Sequence, residues 1–382
     1  MISHLAHYKW PLFASLALAL FLVDCKKNIV DPPVAVSDTT SHNFSLTRVD
    51  TLGSIFSIVA GVDIVDENNI WAAGIFTWQG DTGETHYDYN LAHWNGTKWQ
   101  LMSVPLYGYN NTGPFIQMLG AVKVFKDSTI FVVAQEDNST AFWDGTCWKS
   151  TYATGATISP HMWSRSSNDI YFVGRAGANG QAAHYDGNSF KKVITGLSDQ
   201  LLTDVWGDEE SVYALGTGDG PPVPSDAVFL SGQNLNWQIV VKYDVTKLDV
   251  NDRSLMGSLT SVYKASKHSK LWMLTGWGNA RLFEINSLSP FTVTKTFDCP
   301  NDYSASLIRG TADNDLYIVS QRNSSFYHYN GSTWYRYVPP VNDFVLAYST
   351  TSFAIKGNVW ATVGFSTGGV IGGAIVIIGM HL

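Results

Sequence analysis

The chain is 382 residues long, 45% hydrophobic and only 15% charged, with a net charge of −8 and a pI near 5.6. That acidic, charge-poor balance argues against nucleic acid, whose phosphates need a basic footprint, and against attachment to an anionic membrane by charge alone. Fourteen tryptophans and 33 glycines point to many short strands joined by tight turns.

The N-terminus reads as a targeting segment. His4, His7 and Lys9 form a weakly basic start, and Pro11–Val23 is an apolar run that falls short of the roughly 20 residues a spanning helix needs. It ends at Asp24-Cys25-Lys26-Lys27. A cysteine just after such a run resembles a bacterial lipoprotein signal, in which that cysteine is lipidated and becomes the first mature residue. Asp24 departs from the small residue usual there. Residues 1–25 are therefore expected to be a lipoprotein-type signal ending at Cys25. Residues 26–43, with Asp31-Pro32-Pro33, form a tether,. Residues 44–382 form one domain. The expected address is a bacterial cell envelope, lipid-anchored in the outer membrane or periplasm, with secretion as the alternative if Cys25 is not lipidated.

Two patterns then recur. The first is a strand of the form Ile-aromatic-hydrophobic-hydrophobic-Gly after a polar turn, beginning at Ile70, Ile130, Ile170, Val212, Leu271, Leu316 and Val359. The second is an apolar strand, an Asn-Gly or Asp-Gly pair and an aromatic, as in Leu91–Trp99, Ala141–Trp148, Ala183–Phe190 and Tyr327–Trp334. The starts of the first pattern are spaced by 60, 40, 42, 59, 45 and 43 residues, mostly the 40–50 residues of a four-stranded propeller blade. Strands apolar on both faces cannot be buried by one blade alone, but a closed ring of blades buries them all. The fold expected is an all-β, seven-bladed β-propeller with four-stranded antiparallel blades.

Within blade one the strands are expected at about Ile58–Val65, Ile70–Phe76, Asn90–Trp94 and Lys98–Val104. The Asn-Gly pair would form a two-residue hairpin, its residues tolerating positive φ. The aromatic after the turn (Trp99, Trp148, Phe190, Trp237, Trp334) would pack on a neighbouring blade. The seventh repeat lacks an outermost strand, while Phe44–Leu52 is a strand-like segment without a blade. The N-terminal segment should thus complete blade seven and close the ring. Cys147 and Cys299 fall in blades nearly opposite each other, beyond the Cα separation of about 7 Å that a disulfide tolerates, and are expected to remain thiols.

Short turns all fall on one face of this ring. The long segments, Trp78–Tyr89, Val104–Phe115, Thr217–Asp226 and about Tyr243–Leu255, fall on the other, and elaborated loops on a rigid scaffold are where function usually lies. The candidate ligand-binding residues there are Trp78, Tyr87, Tyr89, Tyr107, Tyr109 and Trp277, with His86 and Asp88 beside them. Aromatic faces near Asp and Asn suit sugar rings or extended peptides.

No chemistry declares itself. His93, His184 and His328 hold the same third-strand position in different blades and read as repeat packing, so no metal is expected. There is no His-Glu-x-x-His, Cys-x-x-Cys, phosphate-binding glycine loop or Gly-x-Ser-x-Gly,, and no cofactor is implied. The Asp-box of sialidases has a residue between Asp and Gly, whereas Asp144-Gly145 and Asp186-Gly187 are adjacent.

The strand motif Ile-Trp-Ala-Ala-Gly with the turn motif Trp-Asn-Gly-Thr-Lys-Trp resembles bacterial seven-bladed propeller lipoproteins, whose repeats read Ile-Trp-x-Val-Gly and Trp-(Asn/Asp)-Gly-x-x-Trp. The resemblance covers about Phe44 to the C-terminus. It implies the propeller fold and is nearly silent on function. Similar proteins are sometimes labelled glucosyltransferases, and nothing in this sequence supports transferase chemistry. The expected function is a monomeric, envelope-anchored module binding a glycan, peptide or protein partner on the long-loop face. It would touch the membrane only through its lipid and bind no nucleic acid. The alternatives are a glycoside hydrolase or lyase acting on envelope polysaccharide, and a structural component of an envelope complex.

Overall fold

The structure is a computed structural model. It describes residues 40–382 apart from 55, 80–83, 109–112, 127, 136–137, 153–160, 177–178, 198–199, 219–225, 246–257, 277–279, 300–304, 322–324, 342–347 and 367–372. Cys25, Tyr109 and Trp277 lie outside the described residues.

Seven sheets of four antiparallel strands make a seven-bladed propeller, as the repeat spacing predicts. The first strands of the blades are Ile58–Asp66, Leu119–Val124, His161–Ser166, Gln200–Gly207, Ser258–Tyr263, Ala305–Ala312 and Tyr348–Lys356. Each lies against the first strand of the next blade, and the seventh lies against the first, so the ring closes around a central channel. The second strands are buried along nearly their whole length, as in Ile130–Ala134, Leu271–Gly276 and Asp315–Ser320. They are sandwiched between neighbouring sheets, which is why their sequences carry no polar alternation.

The N-terminal strand closes the ring. Phe44–Leu52 pairs antiparallel with Ala374–His381, from Phe44 opposite His381 to Leu52 opposite Ala374, and so becomes the outermost strand of blade seven. The chain therefore enters the ring at its short-turn end. Blade one holds this strand from the side: the Trp99 indole N–H donates to Asp50 at 2.9 Å. The Arg48 guanidinium, paired with Asp50, stacks 3.9 Å over the Trp94 ring,.

The core consists of apolar clusters, most of them bridging adjacent blades. The aromatic after each turn belongs to these clusters. Trp99 packs with residues of blade seven, Trp148 with blade one, Phe190 with Phe131 of blade two, and Trp237 with Tyr171 of blade three. Trp334 stacks on Phe297 of blade five at 4.3 Å. Cys147 is exposed and Cys299 buried, and neither is in a disulfide.

Two local expectations are corrected. The turn is not a two-residue hairpin. The last cross-strand pair is Trp94 with Trp99, leaving four turn residues, and positive φ falls only on the glycine (Gly96, +87°), as at Gly145, Gly187 and Gly331. The Asn or Asp serves through its side chain instead. Asn95 Oδ1 accepts from the Thr97 hydroxyl at 2.7 Å and from the N–H groups of Thr97 and Lys98 at 3.1 and 3.0 Å,. Asp144 and Asn330 repeat the arrangement. Secondly, Trp78–Tyr89 is not a long loop. The second strand of blade one runs Asn69–Gln79 and the third Thr85–Trp94, so Trp78, His86, Tyr87 and Tyr89 stand on an extended hairpin. Likewise the segment after Val104 contains a small two-stranded sheet, Leu106–Tyr107 with Pro114–Phe115.

Candidate functional site

The central channel holds a cavity of about 720 Å³ lined by the first strands of blades one, two, three, four, six and seven. Its lining is mixed. Ile58, Met118, Met162, Leu307 and Phe353 supply apolar surface, and Asp63, Lys123, Gln135, His161, Asp204, Arg309 and Thr350 supply polar groups. A pocket of this size and composition suits a small ligand or a short stretch of a larger one.

Most of the charge in the channel ties blades together. Asp63 of blade one accepts from Lys123 Nζ at 3.1 Å and from the Val124 N–H at 2.7 Å, both on blade two. Asp204 of blade four accepts from the Ser261 hydroxyl at 2.6 Å and the Val262 N–H at 3.0 Å, both on blade five, and from Arg309 Nη2 of blade six at 3.3 Å. Arg309 Nη1 also donates to Ser261 Oγ and to the Ile308 carbonyl, and its guanidinium lies 4.4 Å over the Trp206 ring. A guanidinium held at so many points is fixed in place rather than free to follow a ligand.

Other groups are left unpaired. Gln135 Oε1 and Thr350 Oγ1 are buried without a hydrogen-bond partner, although Thr350 is only 6% exposed. Buried polar atoms are normally satisfied, and here the Gln135 oxygen can accept while the Thr350 hydroxyl can donate or accept. Both lie at the long-loop end of the channel, Gln135 just after the second strand of blade two and Thr350 near the start of the first strand of blade seven. His161 opens the first strand of blade three at the same end. Removal from solvent holds its pKa below the ordinary imidazole value, with Asp204 pulling it up and Arg309 pushing it down.

Of the aromatics singled out in the sequence, the four among the described residues, Trp78, Tyr87, Tyr89 and Tyr107, do not line this cavity. Trp78 is 42% exposed, stacks on His86 at 4.2 Å and donates from its indole N–H to Asp88 at 2.8 Å. Tyr87 is 52% exposed on the same hairpin. Tyr89 instead packs on the core between blades seven and one. Tyr107 is tied to blade two: its N–H donates to Ser150 Oγ at 2.9 Å and its carbonyl accepts from Ser139 Oγ at 2.8 Å. One of the channel groups carries a signal in the sequence. Asp204 is a lone charge inside an apolar first strand, Leu201-Leu202-Thr203-Asp204-Val205-Trp206, and first strands line the channel.

His93, His184 and His328 each pair with a residue of their own blade: Asn69 at 3.0 Å, Asp169 at 2.7 Å and Asp315 at 2.9 Å. Each ring also lies against the second-strand aromatic, Trp71, Tyr171 or Tyr317.

Fold and channel together define a seven-bladed β-propeller with a central cavity of mixed polar and apolar lining. No protein-family model matches the chain, and no curated protein sequence matches it. Solved structures do. A catalytically inactive variant of virginiamycin B lyase from Staphylococcus aureus, determined with quinupristin, superposes with a TM-score of 0.60 at 11% identity, covering 89% of this chain and 100% of that one. YCF48 bound to D1 peptide superposes with a TM-score of 0.54 at 10% identity, covering 90% and 97%. YCF48 from Cyanidioschyzon merolae gives 0.52 at 12% identity, covering 88% and 99%. At such identities the likeness concerns the fold alone.

Proposed function

We propose that this protein is an envelope lipoprotein of the bacterial propeller type, anchored through Cys25, whose propeller binds a glycan, peptide or protein segment at the long-loop mouth of the channel. The observation that carries the binding reading is the pair of unpartnered buried polar atoms, Gln135 Oε1 and Thr350 Oγ1, in a cavity of about 720 Å³. A ligand bearing amide N–H or hydroxyl donors on an otherwise apolar frame would satisfy both, which fits a peptide or a sugar better than an ion. Two of the structural neighbours above were determined with quinupristin and with D1 peptide, which accords with this use of the fold. The hydrolase or lyase alternative is disfavoured because the channel carboxylates among the described residues, Asp63 and Asp204, already spend their oxygens on blade-to-blade bonds.

Peptide and glycan arrays probed with the folded domain test the reading. The expected outcome is a defined hit whose affinity falls about thirtyfold in Gln135→Met combined with Thr350→Val, since each of the two lost hydrogen bonds is worth about 1 kcal/mol. Arrays without hits, or a hit indifferent to the double substitution, would remove the channel from consideration. Incorporation of labelled palmitate that is lost in Cys25→Ser tests the anchor separately.

A further inference from the structure

In blades one and three the third-strand histidine pairs with one polar residue of its own blade and stacks on one aromatic. Blade six departs from this. Asp315 Oδ1 accepts from His328 Nε2 at 2.9 Å and lies 3.9 Å from His381 Nδ1, and one ligand atom from each of the three residues lies within 4.8 Å of the other two. His381 comes from the last strand of the chain. A third imidazole, His42, arrives with the closing N-terminal segment and places its Nδ1 2.9 Å from His328 Nδ1. Asp315 and His328 are buried, at 7% and 0% side-chain exposure.

The carboxylate is the telling feature. At the matching position of blade three, Asp169 is neutralised by Arg165 Nη1 at 2.7 Å. In blade six the residue corresponding to Arg165 is Thr311, whose hydroxyl donates to Asp315 Oδ2. Among the described residues no lysine or arginine pairs with Asp315. A buried carboxylate without a cation is costly, and here it faces imidazoles, where its counterpart has a guanidinium beside its imidazole.

We propose that Asp315, His328 and His381 bind one divalent transition-metal ion, with Zn²⁺ the natural occupant, at the seam where the ring closes. Two imidazole nitrogens and a carboxylate oxygen are a zinc-type donor set. Tetrahedral ligation at about 2.0–2.2 Å puts ligand atoms roughly 3.3 Å apart, and the 2.9 and 3.9 Å separations bracket that value. Tyr317, whose hydroxyl is 3.0 Å from His381 Nδ1, stands beside the open fourth position.

The outer contacts fit as well. A ligating histidine donates its other ring N–H to an acceptor that fixes its tautomer. His381 Nε2 has the Ser41 carbonyl at 2.6 Å. His328 Nδ1 has His42 Nδ1, whose own Nε2 reaches Thr333 Oγ1 at 2.9 Å. Repeat packing accounts for the His328–Asp315 pair but not for His381, His42 or the missing arginine. The ion would join blade six, the last strand and the segment leading into the closing strand, stapling the ring.

The test uses untagged full-ring protein stripped with a chelator and titrated with Zn²⁺ and, as a spectroscopic probe, Co²⁺. One equivalent should bind, Co²⁺ should give the intense visible absorption of a tetrahedral or five-coordinate site, and Zn²⁺ should raise the unfolding midpoint by about 5 °C or more. Asp315→Asn and His381→Gln should abolish all three effects, while His184→Gln, at the equivalent position of blade three, should leave them intact. Wild-type protein that takes up no stoichiometric ion would overturn the proposal without recourse to any variant. So would uptake that His381→Gln leaves unchanged.

Discussion

Gly145 and Gly187 hold the same turn position at φ of +95° and +90°, yet their surroundings differ. A Cβ at Gly145 would meet nothing within 4 Å, whereas at Gly187 it would sit 2.6 Å from Asn168 Oδ1. Gly145→Ala should therefore cost only the left-handed backbone penalty, about 1 kcal/mol. Gly187→Ala should cost more, because Asn168 in the adjoining short turn must move. Denaturant melts giving equal losses for the two would show that Asn168 adapts freely. His161 supplies a second residue-scale expectation. Its folded pKa is depressed by loss of solvent, with Asp204 and Arg309 facing it and Lys123 and Asp63 elsewhere in the channel. Above the unfolded value of about 6.5 both states are neutral and the group contributes nothing. Below it the unfolded chain binds a proton that the folded chain resists, so stability declines as pH falls through that range and levels off beneath the folded pKa. Melts from pH 7.5 to 5 should show a shallower decline in His161→Gln than in the wild type, and parallel curves would contradict the assignment.

At the scale of elements, the closing strand was legible because two deficits matched: a seventh repeat without an outer strand and an N-terminal strand without a blade. Its tightness was not. The strand Ala374–His381 threads between the second strand of its blade and Phe44–Leu52, and a Cβ on Gly379 would lie 2.2 Å from Trp360 Cζ2 and 2.3 Å from the Ser45 carbonyl. Gly379→Ala should thus push the closing strand outward and cost about 3 kcal/mol. Limited proteolysis checks the direction: cleavage within residues 40–52 should rise in the variant, and an unchanged cleavage rate would mean that the seam absorbs a methyl group. The hairpin bearing Trp78 was misjudged for a related reason. Gln79-Gly80-Asp81-Thr82-Gly83-Glu84 is turn-rich and polar, so the flanking Trp78 and His86–Tyr89 read as loop. In a solvent-exposed extension nothing enforces the apolar pattern that marks a strand elsewhere in the chain.

At the scale of the molecule, the ring could be read from repeat spacing, while the channel could not. Its lining comes from first strands of blades far apart in sequence, each contributing one or two polar residues to an apolar run, and no local window brings Gln135, His161, Asp204, Arg309 and Thr350 together. Asp204 is the most consequential of these because it links three blades: its own blade four, Ser261 and Val262 of blade five, and Arg309 of blade six. Removing one partner of a buried ion pair costs about 3–5 kcal/mol because the other charge is stranded. The two partners should nevertheless not be equivalent. Asp204→Ala strands both the Arg309 guanidinium, 16% exposed, and the Val262 N–H. Arg309→Met leaves Asp204 its bonds to Ser261 and Val262 and keeps an apolar stem against Trp206. The aspartate substitution should therefore be the more damaging. The double variant should cost less than the two losses added together, with a coupling of about 1–3 kcal/mol. A cycle measured by urea unfolding decides the matter: equal single costs that simply add would mean that the blades are held by their apolar interfaces alone, and that the polar strap across the channel is incidental to the ring.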